Sequence, residues 1–425
     1  MENNKLKLSI KTLQNIFSDT NEPEWYLNTR KLALYKSYTL PFPKLESMNL
    51  DSWNLFNIDF STLRLEEMNT LDISNYGLEQ DDFAIVQKNN TVVHVSIPEK
   101  YRDKVIIKDI FSAMNDDHIK DSFMSVVDYA ENKVTAVHYT LLNAGLFIDV
   151  KENIVIEEPL QYIVISDKEF NHVTINVGEN STFNFIENYI NTTKEDKAPF
   201  SFVAEVVTHE GAKINYSSIT NQPREKRGTI LRRGLTFKNS LINWNVAAMD
   251  EADVYHDNTT NILGDGSEAN LKIVTLGVKE QKTYFNSEIV NQGLSSKGDI
   301  LQHGVLLDKS HIVFNGVGFI VKGATGSNAY QSSRMLTLSS DAKADANPML
   351  LIDENDVMAG HGASLGRIDE EQLYYLQSRG LTRKESSRLL VHGFLSPVIA
   401  ELTVDKIKDL VTVLIDQKIN NNESE

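Results

Sequence analysis

The chain has 425 residues, 41% of them hydrophobic, enough for two or three domains and a large core. Its formal net charge of −17 disfavours non-specific attraction to nucleic acid or anionic membrane, whose phosphates would repel it. It has no cysteine, which excludes a disulfide framework, thiolate metal sites and a cysteine nucleophile; a metal would need His, Asp or Glu ligands, or a partner's. The amino-terminal residues mix Lys5, Lys7 and Lys11 with apolar side chains, so no signal-peptide block is expected. No apolar run approaches the roughly 18 residues that span a bilayer, and a cytoplasmic protein is expected.

Leu8, Ile10, Leu13, Ile16 and Phe17 form an approximate helical stripe. Asn21-Glu22-Pro23-Glu24-Trp25 restarts a helix with Pro23 in its first turn and Trp25, Leu32 and Ala33 on its face. Pro41-Phe42-Pro43 breaks it, and a polar stretch follows to about residue 80. Phe83–Val86 and Val92–Ile97 read as strands around an Asn89-Asn90 hairpin turn. Over 119–144, Phe123, Val126, Val127, Ala130, Val134, Val137 and Leu141 have the spacing of an amphipathic helix.

From Leu146 the character changes. About two hundred residues of short apolar runs follow, among them Val173–Val177, Phe202–Val207, Ile230–Phe237, Thr283–Val290 and Ile312–Val321. Gly, Asn, Asp and Ser separate them, as turn chemistry requires. The connections are too short for crossover helices, which excludes a doubly wound sheet; a sandwich, a barrel and a parallel β-helix remain open. Residues 356–380 join this region to a helical end. Gly360, Gly362 and Gly366 space a turn there, His361 lies between two of them, and a helix begins near Asp369. A histidine flanked by glycines is uncrowded and open to a metal, a substrate or a partner; the plainer reading is a turn histidine. Thr382-Arg383-Lys384-Glu385 is a capping box. Ser396-Pro397 restarts a helix, and Thr403 caps a segment with Ile407, Leu410, Val411 and Leu414 on one face. The tail from Asn420 is polar and expected to be disordered.

No phosphate-cradling Gly-x-x-x-x-Gly-Lys-Ser/Thr is present, so ATP hydrolysis by the chain alone is not expected. Gly264-Asp-Gly266-Ser-Glu-Ala269 fits a relaxed dinucleotide pattern, but the strand-like Leu271–Leu276 after it makes it a plain turn. His209-Glu210 lacks the second histidine of a zinc-protease helix. Arg224, Lys226, Arg227, Arg232 and Arg233 form a basic cluster, read as a solvated loop and strand edge or as a contact for phosphate or an acidic partner. His303 and His311 read as structural.

Residues 304–380 carry a family resemblance. Gly304-Val-Leu-Leu-Asp308, Phe314-x-Gly316, Gly323-Ala324, Ala329-Tyr330-Gln331, Arg334 and Pro348 lead into His361-Gly-Ala-Ser-x-Gly366-x-Ile-Asp369 and Tyr374-Tyr375-Leu376-x-Ser378-Arg379-Gly380. With Glu22-Pro23-x-Trp25 and Arg30-x-x-Ala33-Leu34, this resembles the SufB/SufD family of iron–sulfur cluster assembly scaffolds.

The resemblance implies a mainly β protein with helical ends: an N-terminal helical region with a small strand pair over 1–145, a right-handed parallel β-helix over 146–368 and a helical ATPase-docking region over 369–425. It implies a non-catalytic scaffold that pairs with a SufB-like scaffold through the end of the β-helix, or with a second copy of itself when that partner is absent. It also implies docking of a SufC-like ATPase through the C-terminal helices, where Tyr374, Leu389, Leu390 and Phe394 are the candidate contacts. His361 is then the candidate metal ligand at the scaffold interface; iron or an iron–sulfur cluster would be held transiently in the complex, and no cofactor stably by the chain alone. Ala359 stands where the family often has cysteine, and Leu351 where glutamate is common, so those ligands would come from the partner. Two other readings compete. One is a carbohydrate-active β-helix enzyme, although the Asp81-Asp82 and Asp116-Asp117 pairs would point to opposite faces of a strand. The other is a structural platform with no metal ligand.

Overall fold

The computed structural model describes residues 8–422 except 19, 21, 54, 56–57, 59–71, 77, 117–121, 166–169, 191–196, 401 and 403–404. Helix α1 (Ile10–Ile16) is capped by Ser9, whose hydroxyl accepts from Thr12 N. Helix α2 (Glu24–Thr39) starts after Pro23 and stops short of Pro41. Its buried stripe is Tyr26, Arg30, Ala33, Leu34 and Ser37, whereas Leu32, expected on that face, points to solvent. Arg30 explains the Glu22-Pro-x-Trp…Arg30 pattern. Its guanidinium is fully buried, bonds Glu22 at 2.9 Å and donates to the carbonyls of Thr140 (2.8 Å) and Leu142 (3.0 Å).

Strands β1 (Ala84–Lys88) and β2 (Thr91–Ser96) form the expected antiparallel hairpin, with Asn89 at φ 49° in its turn. Strand β3 (Val105–Asp109) and the short α3 (Ile110–Met114) follow. The helix expected over 119–144 is shorter. It is α4 (Lys133–Leu141), begun by an Asn132–Thr135 capping box, with turns before it. The amides of Val126 and Val127 donate to the Glu205 carboxylate, at 2.9 and 2.6 Å, rather than to helical carbonyls.

The rest of the core is a two-faced parallel solenoid. One face contains β5 (Val155–Ile165), β7 (Thr182–Ile190), β9 (Lys213–Asn221), β11 (Leu241–Ala248), β13 (Glu268–Gly277), β15 (Lys297–Leu306), β17 (Asn328–Thr337) and β19 (Met358–Arg367). The other contains β4 (Ala144–Val150), β6 (Phe170–Val177), β8 (Phe200–Thr208), β10 (Arg227–Thr236), β12 (Asp253–Ile262), β14 (Lys282–Asn291), β16 (His311–Ile320) and β18 (Lys343–Ile352). Each strand pairs in parallel with the strand two further along, so consecutive strands lie on opposite faces. Alternation then sends every second residue inward. Phe185, Tyr216 and Trp244 stack in that interior with ring centroids 5.0 and 4.8 Å apart. On the same face Asn184, Asn215, Asn243 and Asn270 form a side-chain ladder with 2.8 Å steps. Strand β5 has a register irregularity between Ile156 and Leu160, where Pro159 cannot donate. Strands β12, β15, β18 and β19 carry too many polar or small residues to read as strands from the sequence.

After β19, Asp369 caps α5 (Glu370–Ser378). The Thr382–Glu385 capping box opens α6 (Arg383–Ala400) as expected. Helix α6 does not restart at Ser396-Pro397 but runs through it. Pro397 has no N–H for the Gly393 carbonyl, and the Ser396 hydroxyl donates to that carbonyl instead, at 3.0 Å. Helix α7 (Asp405–Asn422) buries Ile407, Val411 and Leu414. It continues to Asn422, so the tail is helical two residues past Asn420; Thr403 lies outside the described residues. Helices α6 and α7 pack Val391, Leu395, Val398 and Ile415 on Ala247, Val274 and Val305 of the solenoid.

Candidate functional site

The solenoid ends in an uncapped coil. Among the described residues β19 pairs only with β17, and its other edge has no strand partner. A parallel edge left this way exposes a row of backbone donors and acceptors ready for another chain. The side chains around it are apolar: Met358 is 58% exposed, Leu365 53%, Leu351 48% and Tyr330 46%. Isolated exposed apolar residues need no explanation, but several gathered on one sheet edge mark an interaction surface.

His361 belongs to this edge. It lies in the middle of β19 and not in a turn, and Gly360, Gly362 and Gly366 are not among the glycines of positive φ. Crowding bears on one of the three glycines only. A Cβ at Gly360 would approach the Tyr330 ring at 3.3 Å, while Gly362 and Gly366 face open space. His361 is in register with Gln331, and Ala359, Ala363 and Leu365 with Ala329, Ser333 and Met335. Those four β17 residues are all buried in the solenoid, so His361 occupies an inward-facing position and is exposed because it lies in the last coil. Among the described residues no group of three metal-ligating side chains occurs. Glu354 is held by its own loop, accepting from Gly323 N at 2.9 Å and Asn355 N at 2.8 Å.

The four candidate docking residues differ in exposure. Tyr374 is 75% exposed and Leu389 is also exposed, whereas Leu390 is half-buried. Phe394 lies against the His303 ring, centroids 5.2 Å apart, and its carbonyl accepts from His303 Nδ1 at 3.0 Å. It therefore binds α6 to the solenoid. His311 pairs with Asp345 at 2.8 Å, so both histidines hold structural contacts.

The basic cluster is not a solvated edge. Arg224 and Arg227 pair at the surface with Glu280 and Asp253. Lys226, Arg232 and Arg233 are buried. Arg232 lies 3.6 Å from Glu187 inside the solenoid, and Arg233 joins Asp257 (2.7 Å) and Glu131 (3.0 Å) outside it. Adjacent residues of one strand thus serve opposite faces. A second buried set links the N-terminal region to the solenoid: His138 Nδ1 meets Ser201 Oγ at 2.9 Å, His138 Nε2 meets His172 Nδ1 at 3.2 Å, and His172 Nε2 meets Glu205 at 3.2 Å. Neither set could be read from sequence, because a period of two does not distinguish an inward polar residue from a solvated one. Of the acidic pairs, Asp82 accepts from Glu79 N and Asp116 binds Lys108; Asp117 lies outside the described residues. Gly264–Gly266 is a plain turn, and His209 stacks on Phe237 at 5.7 Å.

The chain is thus a parallel β-solenoid with an uncapped final coil and appended helices. The chain belongs to the SufB/SufD family. Residues 163–394 match the family described as "SUF system FeS cluster assembly, SufBD core domain". The chain is 37% identical over 431 residues to the iron–sulfur cluster assembly protein SufD of Bacillus subtilis, covering 98% of this chain and 99% of that one. It is 25% identical to an iron–sulfur cluster assembly SufBD family protein of Staphylococcus saprophyticus, covering 90% and 87%, and 24% identical to one of Staphylococcus aureus, covering 91% and 87%. No helix among the described residues is long and apolar enough to cross a membrane.

Proposed function

We propose that this chain is a non-catalytic scaffold subunit of a cytoplasmic iron–sulfur cluster assembly complex. It pairs edge to edge with a SufB-like scaffold through β18 and β19, and it docks a SufC-like ATPase through its C-terminal helices. The observation that carries this reading is the uncapped final coil, where an unpaired strand edge coincides with exposed Met358, Leu365 and Leu351. Backbone pairing along such an edge gives affinity, and the side chains around it give specificity. His361 lies inside the same coil and would face whatever covers it. A neutral imidazole suits iron, and the partner would supply thiolates that this chain lacks. The cluster is cargo of the complex, held only while the seam is closed.

A purely structural platform is the second reading, favoured by Ala359 and Leu351 at positions where the family often has ligands. The test is co-expression of the Leu365→Asp/Met358→Lys variant with the two partner classes. Loss of the scaffold partner with retention of the ATPase supports the edge assignment; unchanged copurification of the scaffold partner overturns it.

A further inference from the structure

Inside the solenoid, β10 and β12 place Arg232, His256 and Asn258 inward beside Ile230 and Val254, while Leu231 and Tyr255 face the N-terminal region. All three polar side chains are buried. Arg232 Nη2 donates to Ser218 and approaches Glu187, which leaves Nε and Nη1 without a protein partner. Both ring nitrogens of His256 are unpaired. The ring stacks on Phe285 at 4.5 Å, and Nε2 lies 3.9 Å from Asp250, too far for a hydrogen bond. Both ends of the Asn258 amide are unpaired as well. Six polar atoms left bare on two adjacent strands would cost as much as the margin by which a domain is stable, so they need a partner the protein does not supply.

The positions next to Arg232 and Asn258 in their inward column are short: Ala204 lies before Arg232, and Ser287 and Gly316 follow Asn258. The facing strands contribute Ser218, through its bond to Arg232, and Gln302, which accepts from Ser287 at 3.0 Å. Beside this column aromatic rings continue, His256 being followed by Phe285 and Phe314. We propose that Arg232, His256 and Asn258 line a sealed hydration site, a cluster of ordered water molecules inside the solenoid. Water fits better than an anion. Arg232 is faced by Glu187, so a carboxyl group already opposes its charge. Water also donates and accepts, which both the Asn258 amide and a neutral imidazole require.

Two measurements on the intact protein test this. A crystal structure fine enough to show solvent should hold density within hydrogen-bonding distance of Arg232 Nε and Nη1 and of the Asn258 amide. A bromide soak should leave that density without an anomalous peak. Water-oxygen relaxation dispersion should show long-lived internal water, and Asn258→Leu should remove part of it. An empty site with the three side chains rotated onto protein partners overturns the proposal, as does a bromide peak there. If Asn258→Leu does not fold, the wild-type density and dispersion still decide the matter.

Discussion

Lys418 of helix α7 is inserted into the solenoid wall at Asp250. Its Nζ donates to the Asp250 carbonyl and to the Leu276 carbonyl, both at 2.5 Å, although the two carbonyls belong to successive coils. The Asp250 side chain turns the other way, accepting from Thr220 at 2.6 Å and Gln222 N at 2.8 Å. One residue thus joins the C-terminal helices to the interior. Lys418→Met should leave two buried carbonyls unpaired and cost about 1–3 kcal/mol. Hydrogen exchange in α7 should rise more than exchange in β11 and β13; equal protection in the variant would count against this anchor. Burial holds the Lys418 amine down to about 8, with Asp250 and Glu251 opposing. The unfolded amine keeps its proton to about pH 10.4, so this group's contribution to stability rises between those two values.

Acid should loosen the protein through its buried histidines. Burial, then the neighbouring His172 and Arg30, push His138 well below the usual imidazole range, and burial followed by Arg232 does the same to His256. Both rings are neutral when folded and protonate in the unfolded chain below about pH 6.5. Their contribution is therefore full above that pH and is lost on acidification, by about 1.4 kcal/mol per pH unit for each ring. Urea unfolding at pH 7 and pH 5 should show a smaller acid loss for His138→Gln than for the wild type. Equal losses would exclude His138 as a contributor.

Arg233 should matter more than an exposed arginine. Arg233→Met strands the Asp257 carboxylate in a buried position and should destabilise by about 3–5 kcal/mol. Arg233→Met/Asp257→Leu should recover a large part of that loss, as measured by denaturant midpoints. A loss no greater than the ~0.5 kcal/mol typical of surface changes would show the pair to be solvated.

The proposed ATPase contact is better tested by point substitution than by deleting α6 and α7. Their removal would bare Ala247, Val274 and Val305 of the solenoid. Tyr374→Asp/Leu389→Asp alters exposed side chains, so stability should change by only about 0.5 kcal/mol. Copurification of the ATPase should fall sharply. Wild-type recovery would move the docking surface elsewhere.

His361→Ala should leave the fold intact, because the side chain is exposed and has no hydrogen bond among those described; complex assembly should survive as well, since backbone pairing along β19 does not need the imidazole. Iron or cluster content of the assembled complex should drop. Normal cluster maturation by this variant would leave the platform reading standing.

Much of the architecture was legible along the chain. The helix start near Asp369, the Thr382–Glu385 capping box, the Asn89 turn and the strand runs rest on local chemistry that neighbouring residues decide among themselves. The absence of cysteine excluded thiolate chemistry outright, and the pattern through His361 to Gly380 gave the family. The tertiary structure decided what depends on which coil lies above another. Gln331 and His361 occupy equivalent inward positions, yet one is buried and the other exposed, because a coil follows the first and none follows the second. Arg232 and Arg233 are neighbours in sequence, but strand alternation sends one to Glu187 in the interior and the other to Asp257 outside it. Pro397 reads as a helix start, yet Ser396 supplies the bond it lacks and packing on Val274 and Val305 carries α6 through. The coil that covers Gln331, the partners of Arg232 and Arg233 and the solenoid face under α6 all lie far away in the chain, where local propensity has no purchase.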